Sequence, residues 1–145
     1  SIDNHPIKTL FPPKEECTIG PHYLGEHLNY KEPIIVEGLF NVLRLFSWGY
    51  ESISPLTCNI SDLQLQNIVS RYKKIILCFD NDKNKIKSGL KGMIKCLLKA
   101  YDLINIEFII LPEGEDADSL TQKEFKKHYD EKFSFNWEEL QTLNR

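Results

Sequence analysis

Short, almost fully apolar runs recur along the chain and alternate with segments of helical periodicity. Apolar residues on both faces are typical of strands that are covered on both sides, as in a parallel sheet. Strands that alternate with helices need crossover connections, so this pattern predicts an α/β fold of about four mostly parallel strands flanked by helices. The predicted strands are Ile34–Val36, Tyr50–Pro55, Lys74–Phe79 and Ile106–Leu111.

The helices between these strands are predicted from apolar residues at helical spacing. Gly49 is expected to end the first helix, Ser61 to cap the second, and Ser119 or Thr121 to start the last. Cys78 and Cys96 lie in apolar surroundings and are predicted to be small core residues. The predicted helices cover residues 39–48, 62–72, 83–101 and, from residue 119 or 121, the segment up to 129.

A length of 145 residues suits one domain with flanking segments. Residues 1–32 contain four prolines and are predicted to be irregular, as the remnant of an adjoining subdomain. Residues 33–130 are predicted to form the α/β domain, and residues 131–145 a tail or short helix. Because the chain starts at Ser1 rather than Met, we interpret it as part of a longer protein.

Composition narrows the classes of function. With 41% hydrophobic and 27% charged residues the chain resembles an ordinary globular protein. It has no apolar run long enough to span a bilayer and no export signal, so a cytoplasmic location without a membrane partner is expected. The four cysteines form no C-x-x-C pair, which argues against a zinc module or a disulfide framework.

Acidic residues follow three of the four predicted strands. Glu37 follows the first, Asp80 and Asp82 the third, and Asp116 and Asp118 the fourth. The carboxyl ends of parallel strands meet at one edge of the sheet, where ligands bind. Carboxylates gathered there would repel one another without a cation, so Mg²⁺ or Mn²⁺ is the expected cofactor. Such oxygen-rich sites serve metal-dependent phosphoryl or nucleotidyl transfer.

The three acidic segments resemble the motifs of the TOPRIM domain. They are Ile35–Gly38, Cys78–Asp82 and Leu111–Asp118, and the resemblance covers about residues 33–120. TOPRIM domains occur in DnaG-type primases, type IA and II topoisomerases, OLD-family nucleases and RecR-like repair proteins. The loop after the last strand is most similar to that of the catalytic core of bacterial and phage primases. The resemblance implies a Rossmann-like TOPRIM fold.

The resemblance also implies roles for the acidic residues. Glu37 would be the general base or acid of nucleotidyl transfer. Asp80 and Asp82 would bind the catalytic metal. Asp116 and Asp118 would help to hold a second metal or the incoming triphosphate.

Four further residues are candidates for contact with phosphate or nucleic acid. Gly38 lets the backbone turn beside the metal, and Lys83 and Lys87 lie in a basic stretch next to the acidic pair. The alternative interpretation of this basic stretch is a helix face that is exposed to solvent. Asn41 stands where family primases usually carry an acid; its carbonyl can accept but brings no charge, so a metal held there would bind more weakly.

The resemblance therefore implies Mg²⁺-dependent joining of ribonucleotides on a template of single-stranded DNA. The implied partners are the template, nucleoside triphosphates and a replicative helicase contacted through regions outside this chain. The chain alone is expected to be nearly inactive in primer synthesis. Two alternatives stay open: an OLD-like TOPRIM nuclease, and a catalytically silent TOPRIM domain that binds protein or nucleic acid.

Overall fold

The sheet has four strands, and every pair of neighbouring strands is parallel. A computed structural model describes residues 20–56, 60–80 and 88–134. The order across the sheet is β2-β1-β3-β4, so the central strands β1 and β3 each have a neighbouring strand on both sides. This confirms the predicted α/β class and the parallel sheet. The strands are β1 Ile34–Ile35, β2 Ser52–Ile53, β3 Lys74–Leu77 and β4 Asn105–Phe108.

Helices connect the strands in the predicted order. Ser61 caps the second helix and Thr121 the last. Each cap hydroxyl accepts from the backbone N–H of the third helical residue, and the side chain of that residue accepts from the backbone N–H of the cap. Gly49 has a φ of +86° just after the first helix, which suits the residue without a Cβ. Residues 83–87 of the predicted third helix and residues 135–145 of the predicted tail or short helix lie outside the described residues. The helices are α1 Leu39–Ser47, α2 Asp62–Arg71, α3 Ser88–Ala100 and α4 Gln122–Asp130, with a 3₁₀ helix at Ala117–Ser119.

The core lies on both faces of the sheet. On one face α2 and α3 pack through Ile68 and Ile94, and on the other α1 and α4 pack through Val42 and Phe125. Successive residues of β3 point alternately into the two layers, as a pleated strand requires. Cys78 and Cys96 are buried, which confirms their predicted place in the core.

Residues 20–32 consist mainly of turns and lie against the β2 side of the sheet. Tyr23 and Leu24 are buried in the core, one in each layer. Leu24 forms an antiparallel bridge with Ser54, through backbone bonds of 2.8 and 3.1 Å. Residues 20–32 contribute apolar area to the domain. The irregular character of residues 1–32 as a whole and the boundary at residue 33 stay predictions.

At the other side of the sheet, Phe108 of β4 forms an antiparallel bridge with Phe133. Their rings pack with centroids 6.3 Å apart. Within the described ranges no helix is both long and apolar enough to cross a membrane.

Candidate active site

Glu37 and Asp80 lie together at the carboxyl edge of the two central strands. Because Ile35 of β1 pairs with Leu77 of β3, the residues that follow these strands emerge side by side. The Asp80 backbone N–H donates to Glu37 Oε1 over 3.0 Å. The Ser54 hydroxyl, beyond the end of β2, donates to the Glu37 backbone carbonyl over 2.8 Å. Neighbouring segments thus hold both the backbone and the carboxylate of Glu37.

Gly38 is the residue that precedes α1. Its backbone is extended, with a φ of −125°, so a residue with a side chain could adopt the same conformation. A Cβ added there would lie 3.9 Å from Asn41 Nδ2, which is an ordinary van der Waals distance. The predicted contact between Gly38 and a phosphate stays a prediction.

Asn41, in the first turn of α1, joins the second acidic segment to the third. It is 4% exposed, and its Nδ2 donates to Asp80 Oδ1 over 3.2 Å. Its Oδ1 accepts from the Asp118 backbone N–H over 3.1 Å. One buried amide therefore lies between two acidic residues that are far apart in the sequence.

Asp116 and Asp118 lie at the 3₁₀ helix that follows β4. Asp116 is its capping residue, and Asp116 Oδ1 accepts from the Ser119 N–H over 2.9 Å. Asp118 Oδ1 accepts from Arg44 Nε over 3.1 Å, and both side chains are nearly half exposed. Arg44 was not predicted as a site residue. The available signal was its position one turn after Asn41 on the same helix, which places the two side chains on one face.

The buried thiol of Cys78 lies beneath these acidic residues. Burial raises the pKa of Cys78 far above its ordinary value, and the charges of Asp80, Asp116 and Glu37 raise it further, in that order. A thiolate is disfavoured by desolvation and by nearby negative charge. Acidic residues that follow three different strands therefore all raise the pKa of one buried thiol. That they share a cation stays a prediction.

The donor atoms at this edge are carboxylate and amide oxygens, which are the ligands that Mg²⁺ and Mn²⁺ prefer. Among the described residues, no three His, Cys, Asp or Glu side chains form a group that could hold a metal ion. Asp82, the predicted partner of Asp80, lies outside those residues, as do Lys83 and Lys87. The chemistry of the edge fits a hard cation, and the ligand set stays a prediction.

Comparison with known proteins agrees with the fold. A family model described as Toprim-like matches residues 34–121, which is more than half of the chain. The chain belongs to the Toprim-like family. The matched range starts at β1 and ends after the 3₁₀ helix, so it contains all three acidic segments. The predicted TOPRIM resemblance is thereby confirmed.

Relatives of this Toprim-like chain include bacterial DNA primases. It is 32% identical over 143 residues to a DNA primase of Rickettsia felis, covering 92% of this chain and 23% of the relative. It is 34% identical over 119 residues to a DNA primase of Buchnera aphidicola subsp. Baizongia pistaciae, covering 78% of this chain and 20% of the relative. The chain thus spans about a quarter or less of these relatives.

Solved structures with the same arrangement of strands and helices include primase cores. One described as the DnaG catalytic core has a TM-score of 0.67 at 23% identity, covering 84% of this chain and 43% of that one. A DNA primase domain from Pseudomonas aeruginosa has a TM-score of 0.64 at 25% identity, covering 77% and 38%. The Toprim-like chain therefore has the fold of this part of the primase core.

Proposed function

We propose that this Toprim-like chain is the part of a DNA primase that carries the acidic residues of nucleotidyl transfer. The observation that carries the proposal is the hydrogen bond from the Asp80 N–H to Glu37 Oε1, because it joins the ends of the two central strands. Asn41 connects the same point to Asp118. The relatives named DNA primase support this reaction over phosphodiester cleavage.

The reaction proposed is the joining of ribonucleotides on single-stranded DNA. Asp80 and Asp82 would hold Mg²⁺ or Mn²⁺, while Asp116 and Asp118 would help to hold a second ion or the incoming triphosphate. When bound, a divalent cation supplies the positive charge that stabilises a triphosphate under attack. Glu37, oriented by the Asp80 N–H, would accept the proton of the attacking 3′-hydroxyl.

Gly38, Lys83 and Lys87 are proposed to contact phosphates of the substrate or template. Gly38 would do so through its backbone and the two lysines through charge. Asn41 is already bonded through both ends of its amide, so it is better placed to hold its neighbours than to contact a phosphate.

The proposed partners are a single-stranded DNA template and nucleoside triphosphates in the cytoplasm. One structural neighbour is described as a DnaG primase catalytic domain bound to single-stranded DNA. A replicative helicase would be contacted by other regions of a longer protein. We further propose that the chain alone makes almost no primer.

Metal binding is the direct test of this proposal. Mn²⁺ is titrated into the wild-type chain and into the double variant Asp80→Asn/Asp82→Asn, with binding followed by electron paramagnetic resonance of the free ion. The double variant should lose the binding that the wild type shows. A matched control is Asp62→Asn/Asp130→Asn, which removes the same charge from exposed acids that pair with lysines on the helices. Equal binding by all three proteins contradicts the metal site.

Activity assays separate the reaction classes. With a single-stranded template and ribonucleotides, the chain alone should yield almost no primer, and robust synthesis would contradict the proposed inactivity. If the chain instead cleaves single-stranded DNA with Mn²⁺, and Glu37→Gln abolishes the cleavage, the nuclease alternative replaces the primase proposal.

A further inference from the structure

Asn41 is one of the few buried polar side chains in the described part of the chain, and both ends of its amide are bonded. Its partners, Asp80 and Asp118, follow strands β3 and β4 and are 39 and 77 residues away along the chain. Buried polar groups are stable when every donor and acceptor finds a partner. The position of Asn41 therefore depends on the placement of both acidic segments, and their placement depends on Asn41.

A neutral amide suits this position because it offers a donor to one neighbour and an acceptor to the other. A carboxylate at position 41 could still accept from the Asp118 N–H. It would, however, place an oxygen where Nδ2 now lies, 3.2 Å from Asp80 Oδ1. Two carboxylate oxygens so close repel unless a proton or a cation lies between them. The amide thus connects these segments without needing a cation.

Arg44 provides a second contact to the same segment, one turn further along α1. Its Nε lies 3.1 Å from Asp118 Oδ1, but both side chains are nearly half exposed. Exposed ion pairs contribute little because water and salt screen them. Between Asp116 and Asp118, Ala117 is 1% exposed and packs in the core layer that includes Val42. Because the bonds of Asn41 are buried and the Arg44 pair is exposed, we expect Asn41 to contribute more than Arg44 to holding the Asp118 segment in place.

We propose that Asn41 is a positioning residue that holds Asp80 and the Asp118 backbone in place before any metal binds. For its role in nucleotidyl transfer this inference rests on the proposed function. The two hydrogen bonds themselves can be tested without metal. Ligands that are already held in place lose less conformational freedom when a cation binds, so the cation binds more tightly.

The first test is hydrogen exchange of the Asp118 backbone amide in the 145-residue chain, measured by nuclear magnetic resonance with EDTA present. Asn41→Ala removes the acceptor and should speed exchange roughly fivefold, the effect of one net hydrogen bond. The matched control is Asn67→Ala, whose amide also bridges two partners, the Pro21 carbonyl and Glu26, away from this edge. An equal Asp118 exchange rate in wild type and Asn41→Ala overturns the inference.

The second test is Mn²⁺ affinity. Asn41→Ala should bind Mn²⁺ several-fold more weakly than wild type, because Asp80 is no longer oriented, whereas Asn67→Ala should bind as wild type does. An equal fall of affinity in the two variants overturns the inference, since it would reflect general loosening of the fold. If wild type itself binds no Mn²⁺, the proposed function fails, and the exchange rate of Asp118 alone decides on Asn41.

A third variant covers the case in which Asn41→Ala does not fold. Asn41→Asp keeps the acceptor for Asp118 and places a charge beside Asp80. Its melting temperature in EDTA should lie below that of wild type, and Mn²⁺ should raise it more than it raises that of wild type. The same melting temperature as wild type in both conditions overturns the inference.

Discussion

Glu26 and the acids at the carboxyl edge of the sheet have different surroundings. Glu26, in the turns before β1, is 4% exposed and surrounded by donors. His22 Nδ1 lies 2.8 Å and Asn67 Nδ2 2.6 Å from its carboxylate, and Arg71 donates to its backbone carbonyl. Glu26 thus joins the irregular segment to α2.

At the carboxyl edge, by contrast, acids lie close to other acids. Glu37 accepts from the backbone of Asp80, and Asp80 accepts from the amide of Asn41. The field of these residues and of Asp116 reaches the buried Cys78 thiol. Glu26, surrounded by donors, therefore serves the fold, whereas the acids clustered at the strand ends are suited to a cation.

The largest effect is expected at Gly25, beside Glu26. Its φ is +91°, and a Cβ there would meet Ile53 Cγ2 at 2.9 Å and the Ser52 carbonyl at 3.1 Å. Gly25→Ala should lower the free energy of unfolding by about 3 kcal/mol through backbone strain and overpacking. Gly49→Ala is the control, because its φ of +86° is similar but its Cβ would meet nothing within 4 Å. It should cost about 1 kcal/mol in urea unfolding, and equal costs would contradict the close packing at Gly25.

The next largest difference should separate the two groups of acids directly. Glu26→Gln replaces one accepting carboxylate oxygen by an NH₂ group, so one of the bonds to His22 and Asn67 is lost at a buried position. It should lower the free energy of unfolding by about 2 kcal/mol. Asp80→Asn removes one of several neighbouring negative charges and should change stability by less than about 1 kcal/mol. Urea unfolding in EDTA measures both. A larger loss for Asp80→Asn would show that the carboxyl edge also serves stability.

The smallest effect is expected for Arg44→Gln. Its ion pair with Asp118 is exposed, so the substitution should cost less than about 1 kcal/mol, and the cost should shrink in high salt. Urea unfolding at low and high NaCl concentration measures the difference. A cost that does not depend on salt would mean that Arg44 stabilises the fold by packing, for example over Trp48, whose ring centroid lies 5.8 Å from its guanidinium.

Much of the fold could be predicted because its signals are local. The apolar runs around β1, β3 and β4 are strands, and Ser61 and Thr121 begin their helices by short-range bonds. Those elements depend on residues a few positions apart. The edge shared by Glu37, Asp80 and Asp116 could be predicted from the parallel direction of the strands, since parallel strands end on the same side.

Other features depend on contacts between distant residues and carry no such signal. The bridging position of Asn41 requires knowledge of how α1 packs against segments after β3 and β4. The burial of Tyr23 and Leu24 was missed because they lie in a segment without periodicity. Arg44 lies one turn after Asn41, but its ion pair with Asp118 depends on how α1 packs against the loop after β4. The roles of Asp82, Lys83 and Lys87 stay predictions.

The two bridges at the sides of the sheet have a consequence for aggregation. Outer strands expose unpaired backbone groups that can recruit strands from other molecules. Here Leu24 bonds to Ser54 just after β2, and Phe133 bonds to Phe108 of β4. A truncated protein that starts at residue 33 would lose the first of these bridges and expose apolar sheet surface that Leu24 now covers. Self-association of such a fragment would reflect an uncovered sheet side rather than a natural oligomer.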